Sequence, residues 1–194
     1  MSTSERNTKT TFVESPMCPL WKRMPALEFR SANTRFRVHV PGATIQRLLH
    51  LCRTSGRLET GGILVGGYSA TLDCARVGAA SGPPRDSVRG PSSFQRGTKD
   101  LQKWLKRRWA TRGDHYLGEW HFHPHVAPVP SSTDLQQLGR IARTAEYRCP
   151  EPILLIVGGD PAGKWLVSVH VIPSGQAAVP LQRMEDPARP DSPA

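Results

Sequence analysis

Residues 121–134 read HFHPHVAPVPSSTD, and this order decides where a strand ends and a helix begins. Upstream, HYLGEWHFH (115–123) reads as a β-strand, along which side chains alternate between two faces. His121 and His123 then project to one side with Glu119, while Trp120 and Phe122 turn the other way, into packing. Pro124 ends the pairing, because proline has no N–H to give a ladder. A proline-stiffened spacer runs to Pro130. Ser131 or Ser132 then caps a helix, and Asp134 falls in its first turn with its carboxylate near the strand's end. Two imidazoles on one strand face and a carboxylate at a helix start are three donors that leave a fourth tetrahedral position for water. That is the arrangement of a catalytic zinc rather than a structural one. Each piece alone has an ordinary explanation, a helix cap or a solvated strand histidine. The combination at this spacing does not. His125 in the spacer reads as a bystander, as do His39, His50, His115 and His170.

Hydrolysis also needs a base that passes a proton to the leaving group. Two carboxylates qualify. Glu119 shares the histidine face but is close in sequence. Glu59 heads the apolar, glycine-flanked ETGGILVGG, a strand that can lie beside the histidine strand, with Gly61 and Gly62 permitting close backbone approach. Spacing leaves the choice between them open.

Outward from this centre, RFRVHV (35–40) alternates as a strand, and PGATIQRLLHLCRTSG carries Ile45, Leu48, Leu49 and Cys52 at helical spacing with Gly56 as a stop. TLDCARVGAA reads as the antiparallel partner of ETGGILVGG. Residues 80–97, rich in Gly, Pro and Ser, read as a long loop. TKDLQKWLKRRWATRG is an amphipathic helix with Leu101, Trp104, Leu105 and Trp109 on one face, and SSTDLQQLGRIARTAEYR a second with Leu135, Leu138, Ile141, Ala142 and Ala145 inward. ILLIVGG and KWLVSVHVIP form a hairpin turning through Asp160–Gly163. The pattern predicts one α+β domain over 34–173, a sheet with a helix on either side. Residues 1–33 read as an N-terminal extension whose Trp21, Leu27 and Phe29 pack on the domain surface. Residues 174–194 read as a proline-rich disordered tail.

The 194 residues suit one domain with tails, and 38% hydrophobic with 22% charged residues argue for a folded core. The polar N-terminus has no apolar signal segment and no stretch approaches the ~20 apolar residues of a membrane helix. Four scattered cysteines (Cys18, Cys52, Cys74, Cys149) without C-x-x-C fit reduced thiols in the cytoplasm, although Cys18 and Cys149 can meet at a second metal site in space. The net charge of +10 raises the prospect of an acidic partner.

The motif set resembles the JAMM (MPN+) metalloprotease family: an upstream glutamate before a small-residue strand, H-x-H-P, six residues, then S-x-x-D. Here these are Glu59 in ETGGILVGG, His121-Phe122-His123-Pro124 and Ser131-Ser132-Thr133-Asp134. The resemblance implies an MPN fold, α+β, with a mixed, mainly antiparallel sheet packed between helices in a single domain. It implies one catalytic Zn2+ held by His121, His123 and Asp134 with water fourth. Glu59 becomes the general acid/base, and Ser131 a hydrogen-bond donor to the developing oxyanion or the bound water. It also implies hydrolysis of the amide bond after the C-terminus of a ubiquitin-like protein. The forms GEWHFHP and SSFQRG are similar to bacterial family members of anti-phage operons, of the CBASS or the Bil type. The expected partners are a ubiquitin-like protein or its conjugate and the E1- and E2-like proteins of such an operon.

Three functions compete. A zinc isopeptidase has a residue for every chemical role. A scaffold of the same fold would have lost ligands, and none is missing. A nucleic-acid module rests on Lys99, Lys103, Lys106, Arg107 and Arg108, which read better as the solvated face of an amphipathic helix. No nucleic acid and no membrane are expected. The substrate is expected to enter as a narrow, small-residue tail added as a strand to the edge at Gly61 and Gly62, so that bulk there harms cleavage more than folding.

Overall fold

In the computed structural model, which describes residues 24–184, alternation along the strands sorts apolar side chains into an inner and an outer set. In chain order the elements are β1 (Leu27–Ser31), β2 (Arg37–Val40), α1 (Gly42–Ser55), β3 (Thr60–Tyr68), β4 (Cys74–Ala80), β5 (Val88–Gly90), β6 (Ser93–Gln95), α2 (Leu101–Arg112), β7 (His115–Pro124), α3 (Ser132–Arg143), β8 (Ile153–Gly159), β9 (Trp165–Val171) and β10 (Val179–Arg183). A 3-10 turn at Ala145–Tyr147 follows α3.

The expected mixed, mainly antiparallel sheet packed between helices is not what forms. Eight strands close into a barrel in the order β1-β10-β9-β8-β7-β3-β4-β2, and β5 and β6 form a separate hairpin. Neighbours are antiparallel except for the parallel pairs β2–β4 and β7–β8. The cause is β1 and β10, which pair with each other and with β2 and β9 respectively. Closure removes both rows of unpaired N–H and C=O groups that an open sheet would present. Both strands lie beyond 34–173. Leu27 and Phe29, expected to rest on a surface, are core residues at 4% and 1% exposure, while Glu28 and Arg30 between them face solvent. Val179–Arg183 is a strand within the stretch expected to be disordered, with Leu181 buried. Residues 1–23 and 185–194, including Trp21 and Cys18, lie outside the described residues.

Inside, Val38, Val40, Leu64, Trp120, Phe122, Leu155 and Val169 meet the Ile45–Leu48–Leu49–Cys52 stripe of α1. Outside, Ile63, Val65 and Tyr116 meet Leu101 of α2 and Ile141 of α3. Leu154 and Ile156 meet Leu138 of α3. Trp109 departs from the expected inward face of α2. It is 56% exposed, with its ring edge-on to His115.

A register shift between Leu64 and Val65, opposite Tyr116–Gly118, governs β7. Leu117 is the extra residue, and the bulge changes the phase of alternation. Tyr116 thus packs outside with Ile63 and Val65, yet Trp120 packs inside, where an unbroken strand would put both on one face. The bulge is what turns Glu119, His121 and His123 outward. Gly118 makes it possible. Its φ is +147°, and a Cβ there would sit 1.9 Å from the Ile153 carbonyl oxygen.

Candidate metal centre and the residues around it

The centre lies where the C-terminal end of β7 meets the N-terminus of α3. β7 is flanked on one side by β3, with Gly61 opposite His121, and on the other by β8, with His123 opposite Gly158. After Pro124 the chain turns through His125, whose φ is +62° and whose N–H donates to the Gly159 carbonyl at 3.1 Å. The spacer is pinned beyond that point. Gly159 N–H donates to the Val126 carbonyl at 2.9 Å, and Ser168 Oγ donates to the Pro128 carbonyl at 2.5 Å. Gly158 lets the spacer lie flat, since a Cβ there would meet Val126 O at 2.5 Å. The prolines thus deliver α3 at a fixed height over the strand end.

At that helix start Ser131 is the N-cap. Its Oγ accepts from Asp134 N–H at 3.1 Å, and its own N–H donates to Asp134 Oδ2 at 2.9 Å, a reciprocal capping box. The Ser131 hydroxyl also donates to Oδ2 at 2.7 Å. Oδ2 is therefore committed, and Oδ1 is the free donor. It lies 2.9 Å from His121 Nδ1. One donor atom each from His121, His123 and Asp134 fall within 4.8 Å of one another. Two imidazole nitrogens and a carboxylate oxygen converging this closely suit a divalent cation of borderline softness.

Electrostatics agree with that geometry. Burial disfavours charge on His121, but the Asp134 and Glu119 carboxylates outweigh it and push the imidazole up to about 9. Burial likewise opposes the Asp134 carboxylate, and the His121 and Ser131 hydrogen bonds hold it down at about 2. His123 is lowered, mainly by burial. Three groups sharing one small volume thus compete for a proton where a cation would satisfy them all.

The two candidate bases part company. Glu59, immediately before β3, is half-buried, and burial together with the nearby Asp134 charge raises its carboxyl, with His121 opposing. Its main chain is held by the β5–β6 hairpin: Glu59 N–H donates to Gly90 O at 2.8 Å, and Arg89 Nε donates to Glu59 O at 3.2 Å. Its side chain remains available. Glu119, by contrast, is fully buried and tied down. Oε1 accepts from Arg96 Nε at 3.1 Å and Nη2 at 2.8 Å, and Oε2 accepts from Gln137 Nε2 at 3.0 Å. Burial raises its carboxyl, but the His121 and Arg96 partners win and hold it below the usual range. A carboxylate so encumbered is no proton shuttle. Arg96 and Gln137 are contacts that the sequence pattern does not point to. The signal available is weak: Arg96 is the penultimate residue of SSFQRG, and Gln137 stands one turn after Asp134 on α3.

At Gly61 and Gly62, where a substrate edge is expected, β3 is paired on its β7 side, and its bonds on the other side begin at Ile63. β3 pairs with β7 along Thr60–Gly66, and Ile63 is bonded to Ser81 through N and O on the other side. Gly61 clears room inside the site, where a Cβ would meet Trp120 O at 2.4 Å, Phe94 Cε1 at 2.7 Å and His121 Cδ2 at 2.9 Å. Phe94 uses that space to set its ring edge-on to His121, centroids 5.6 Å apart.

The profile of the prokaryotic homologs of the JAB domain matches residues 41–171, which span α1 to β9 and hold Glu59 and all three donors. The chain belongs to the prokaryotic JAB-domain family. Among the relatives of this JAB-domain chain is a CD-NTase/cGAS isopeptidase of Enterobacter hormaechei subsp. hoffmannii (strain UCI 50), 40% identical over 156 residues, or 80% of this chain and 86% of that one. Another is a probable metalloprotease, y4qB, of Sinorhizobium fredii (strain NBRC 101917 / NGR234), 27% identical over 78% of this chain and 93% of the relative. The solution structure of protein DSY2949 from Desulfitobacterium hafniense covers 75% of this chain and 88% of that one with a TM-score of 0.50 at 20% identity, a likeness of fold alone. Family and donor cluster together identify a metal-dependent hydrolase of the JAB class. Among the described residues no helix is long and apolar enough to cross a membrane, and Cys52, Cys74 and Cys149 are free thiols.

Proposed function

We propose that this chain is a cytoplasmic zinc isopeptidase. It hydrolyses the amide bond that follows the C-terminus of a ubiquitin-like protein, or of a CD-NTase conjugated in the ubiquitin-like manner, within an anti-phage operon of the CBASS type. The observation that carries the reading is the 40% identity to a CD-NTase/cGAS isopeptidase over four-fifths of the chain. The assembled donor set beside a half-buried Glu59 gives it a chemistry.

In this reading His121, His123 and Asp134 hold the zinc, which when bound supplies Lewis acidity that activates water and polarises the scissile carbonyl. Glu59 takes a proton from the attacking water and delivers it to the departing amine nitrogen, and its raised carboxyl suits a group that must both accept and return a proton. Asp134 keeps one oxygen for the ion because Ser131 holds the other. For Ser131 to assist an oxyanion its hydroxyl must turn away from Oδ2. It is exposed at the site's rim and its N–H already holds the carboxylate, so the turn leaves Asp134 in place. Substrate grip falls to residues 80–97, where β5 and β6 form a two-stranded hairpin separate from the barrel, to which an extended tail can add. The E1- and E2-like enzymes of such an operon would supply the conjugate.

The test is cleavage of a ubiquitin-like fusion and of a CD-NTase conjugate, with and without chelator, beside Glu59→Gln. Zinc-dependent cleavage lost in the variant is the expected result. A zinc-loaded wild type that cleaves neither substrate overturns the reading.

A further inference from the structure

We infer that Glu119 is a positioning residue for the metal ligand His121, and that Arg96 extends this support to the segment 80–97. The inference rests on the reading above that His121, His123 and Asp134 hold the metal. His121 Nδ1 points to Asp134 Oδ1 at 2.9 Å, into the donor cluster, and Nε2 points the opposite way, to Glu119 Oε2 at 3.8 Å. An imidazole can give Nδ1 to a cation only when that nitrogen is bare, so the ring proton must then sit on Nε2. The acceptor facing Nε2 is a fully buried carboxylate whose Oε2 also accepts from Gln137 Nε2 at 3.0 Å. A ligand histidine whose second nitrogen donates to a carboxylate is fixed in tautomer and orientation, and is a stronger base toward the metal. The present 3.8 Å exceeds a hydrogen bond. The inference requires this gap to close when Nδ1 exchanges Asp134 for the ion.

No other role in the described structure accounts for a carboxylate at Glu119. Its face of β7 leads to the site, yet it cannot reach solvent, and a lone buried carboxylate is costly. The cost is met by Arg96, whose side chain is 10% exposed and whose Nε and Nη2 both bond Oε1. Arg96 is also part of the 80–97 segment, anchored at its end by Gly97 N–H to Ser87 Oγ at 3.0 Å and by Asp86, which accepts from Thr98 and Lys99 N–H at 3.0 Å each. One arm of this segment thus reaches Glu119 behind the metal ligand, and the other holds the main chain of Glu59 through Arg89 and Gly90. The alternative is that Arg96–Glu119 is only a tie between segment and barrel, without effect on His121.

Two measurements separate these. In the zinc-loaded wild type, nitrogen NMR on labelled histidines reads the His121 tautomer, and the proton is expected on Nε2. In Glu119→Gln, and in the double variant Arg96→Met with Glu119→Leu, which leaves no unpaired buried charge, zinc affinity by chelator competition should fall roughly 10- to 100-fold. The visible spectrum of the cobalt-substituted protein should change with it. A loaded wild type with the proton on Nδ1 overturns the inference, and so does a folded double variant with wild-type zinc affinity. If the double variant does not fold, the wild-type tautomer decides. A wild type that binds no zinc sinks this inference and the metal reading together, whereas zinc bound with the reversed tautomer sinks this one alone.

Discussion

His121 Nδ1 lies 2.9 Å from Asp134 Oδ1, so two of the three donors hold each other. This pairing sets the pH dependence expected of chelator-treated protein. His121 has its pKa raised to about 9, so its contribution to stability is complete below the unfolded value near 6.5 and is lost as pH rises through about 9. Asp134 is lowered to about 2, so its contribution is complete above the unfolded value near 3.9 and is lost as pH falls through about 2. Chelator-treated protein should therefore show a plateau of Tm between about pH 4 and 6.5, declining on both sides. Zinc should bind more tightly as pH rises toward 9, since the His121 proton must leave. Calorimetry in buffers of different ionisation enthalpy counts that proton. An affinity independent of pH between 6.5 and 9 would contradict the pairing.

Glu59→Gln should lower kcat by roughly 10²- to 10⁴-fold with little change in KM, the range expected for loss of a general acid/base. Zinc content and Tm should be unchanged, because the Glu59 main-chain bonds to Gly90 and Arg89 survive the substitution. In the wild type, the acid limb of kcat/KM should lie above the usual carboxylate range, because burial raises this carboxyl. Steady-state kinetics on a ubiquitin-like fusion check both. Loss of zinc in the variant would make Glu59 a structural group instead.

What could be read from sequence followed the range of the forces involved. The pair His121 and His123 was legible because strand alternation is local, and Asp134 because a capping box spans four residues. The helix stripe of Ile45, Leu48, Leu49 and Cys52 was legible for the same reason. The Arg96–Glu119 pair was not, because its partners stand 23 residues apart and only the fold of the 80–97 segment joins them. Barrel closure failed on both counts. β1 and β10 are five residues each, β10 contains Pro180, and prolines argue against a strand paired on both sides. Their pairing links residues such as Phe29 and Arg183, across nearly the whole domain.

Gly61→Ala separates a packing role of Gly61 from the expected strand-edge role. The new Cβ would sit 2.4 Å from the Trp120 carbonyl oxygen, which is backbone of the paired strand and cannot rotate away. Overpacking of this kind costs about 1–3 kcal/mol. Tm and cleavage should fall together, and zinc affinity with them, since the same Cβ crowds His121 Cδ2 at 2.9 Å. Thermal unfolding beside kinetics reads the outcome. A variant with wild-type Tm and lost cleavage would support the strand-edge reading of Gly61.

Barrel closure makes the boundaries of the folding unit testable. A fragment of residues 34–173 loses β1 and β10, and with them Leu27, Phe29 and Leu181 from the core. At about 1.5–3 kcal/mol for each buried side chain the loss is roughly 5–9 kcal/mol, comparable to the whole stability of a typical domain. It also bares the edges of β2 and β9, which pair with β1 and β10 in the intact chain. Open edges of this kind template aggregation. The fragment should be insoluble, or should lack a cooperative transition by calorimetry, although it keeps Glu59, His121, His123, Ser131 and Asp134. The weaker double variant Phe29→Ala with Leu181→Ala in the full chain should remain folded but lose roughly 4 kcal/mol or more, since large-to-small core substitutions cost about 2–5 kcal/mol each. A 34–173 fragment that unfolds cooperatively near the wild-type Tm would mean that the eight-strand closure contributes little, and that the open sheet suffices to hold the site.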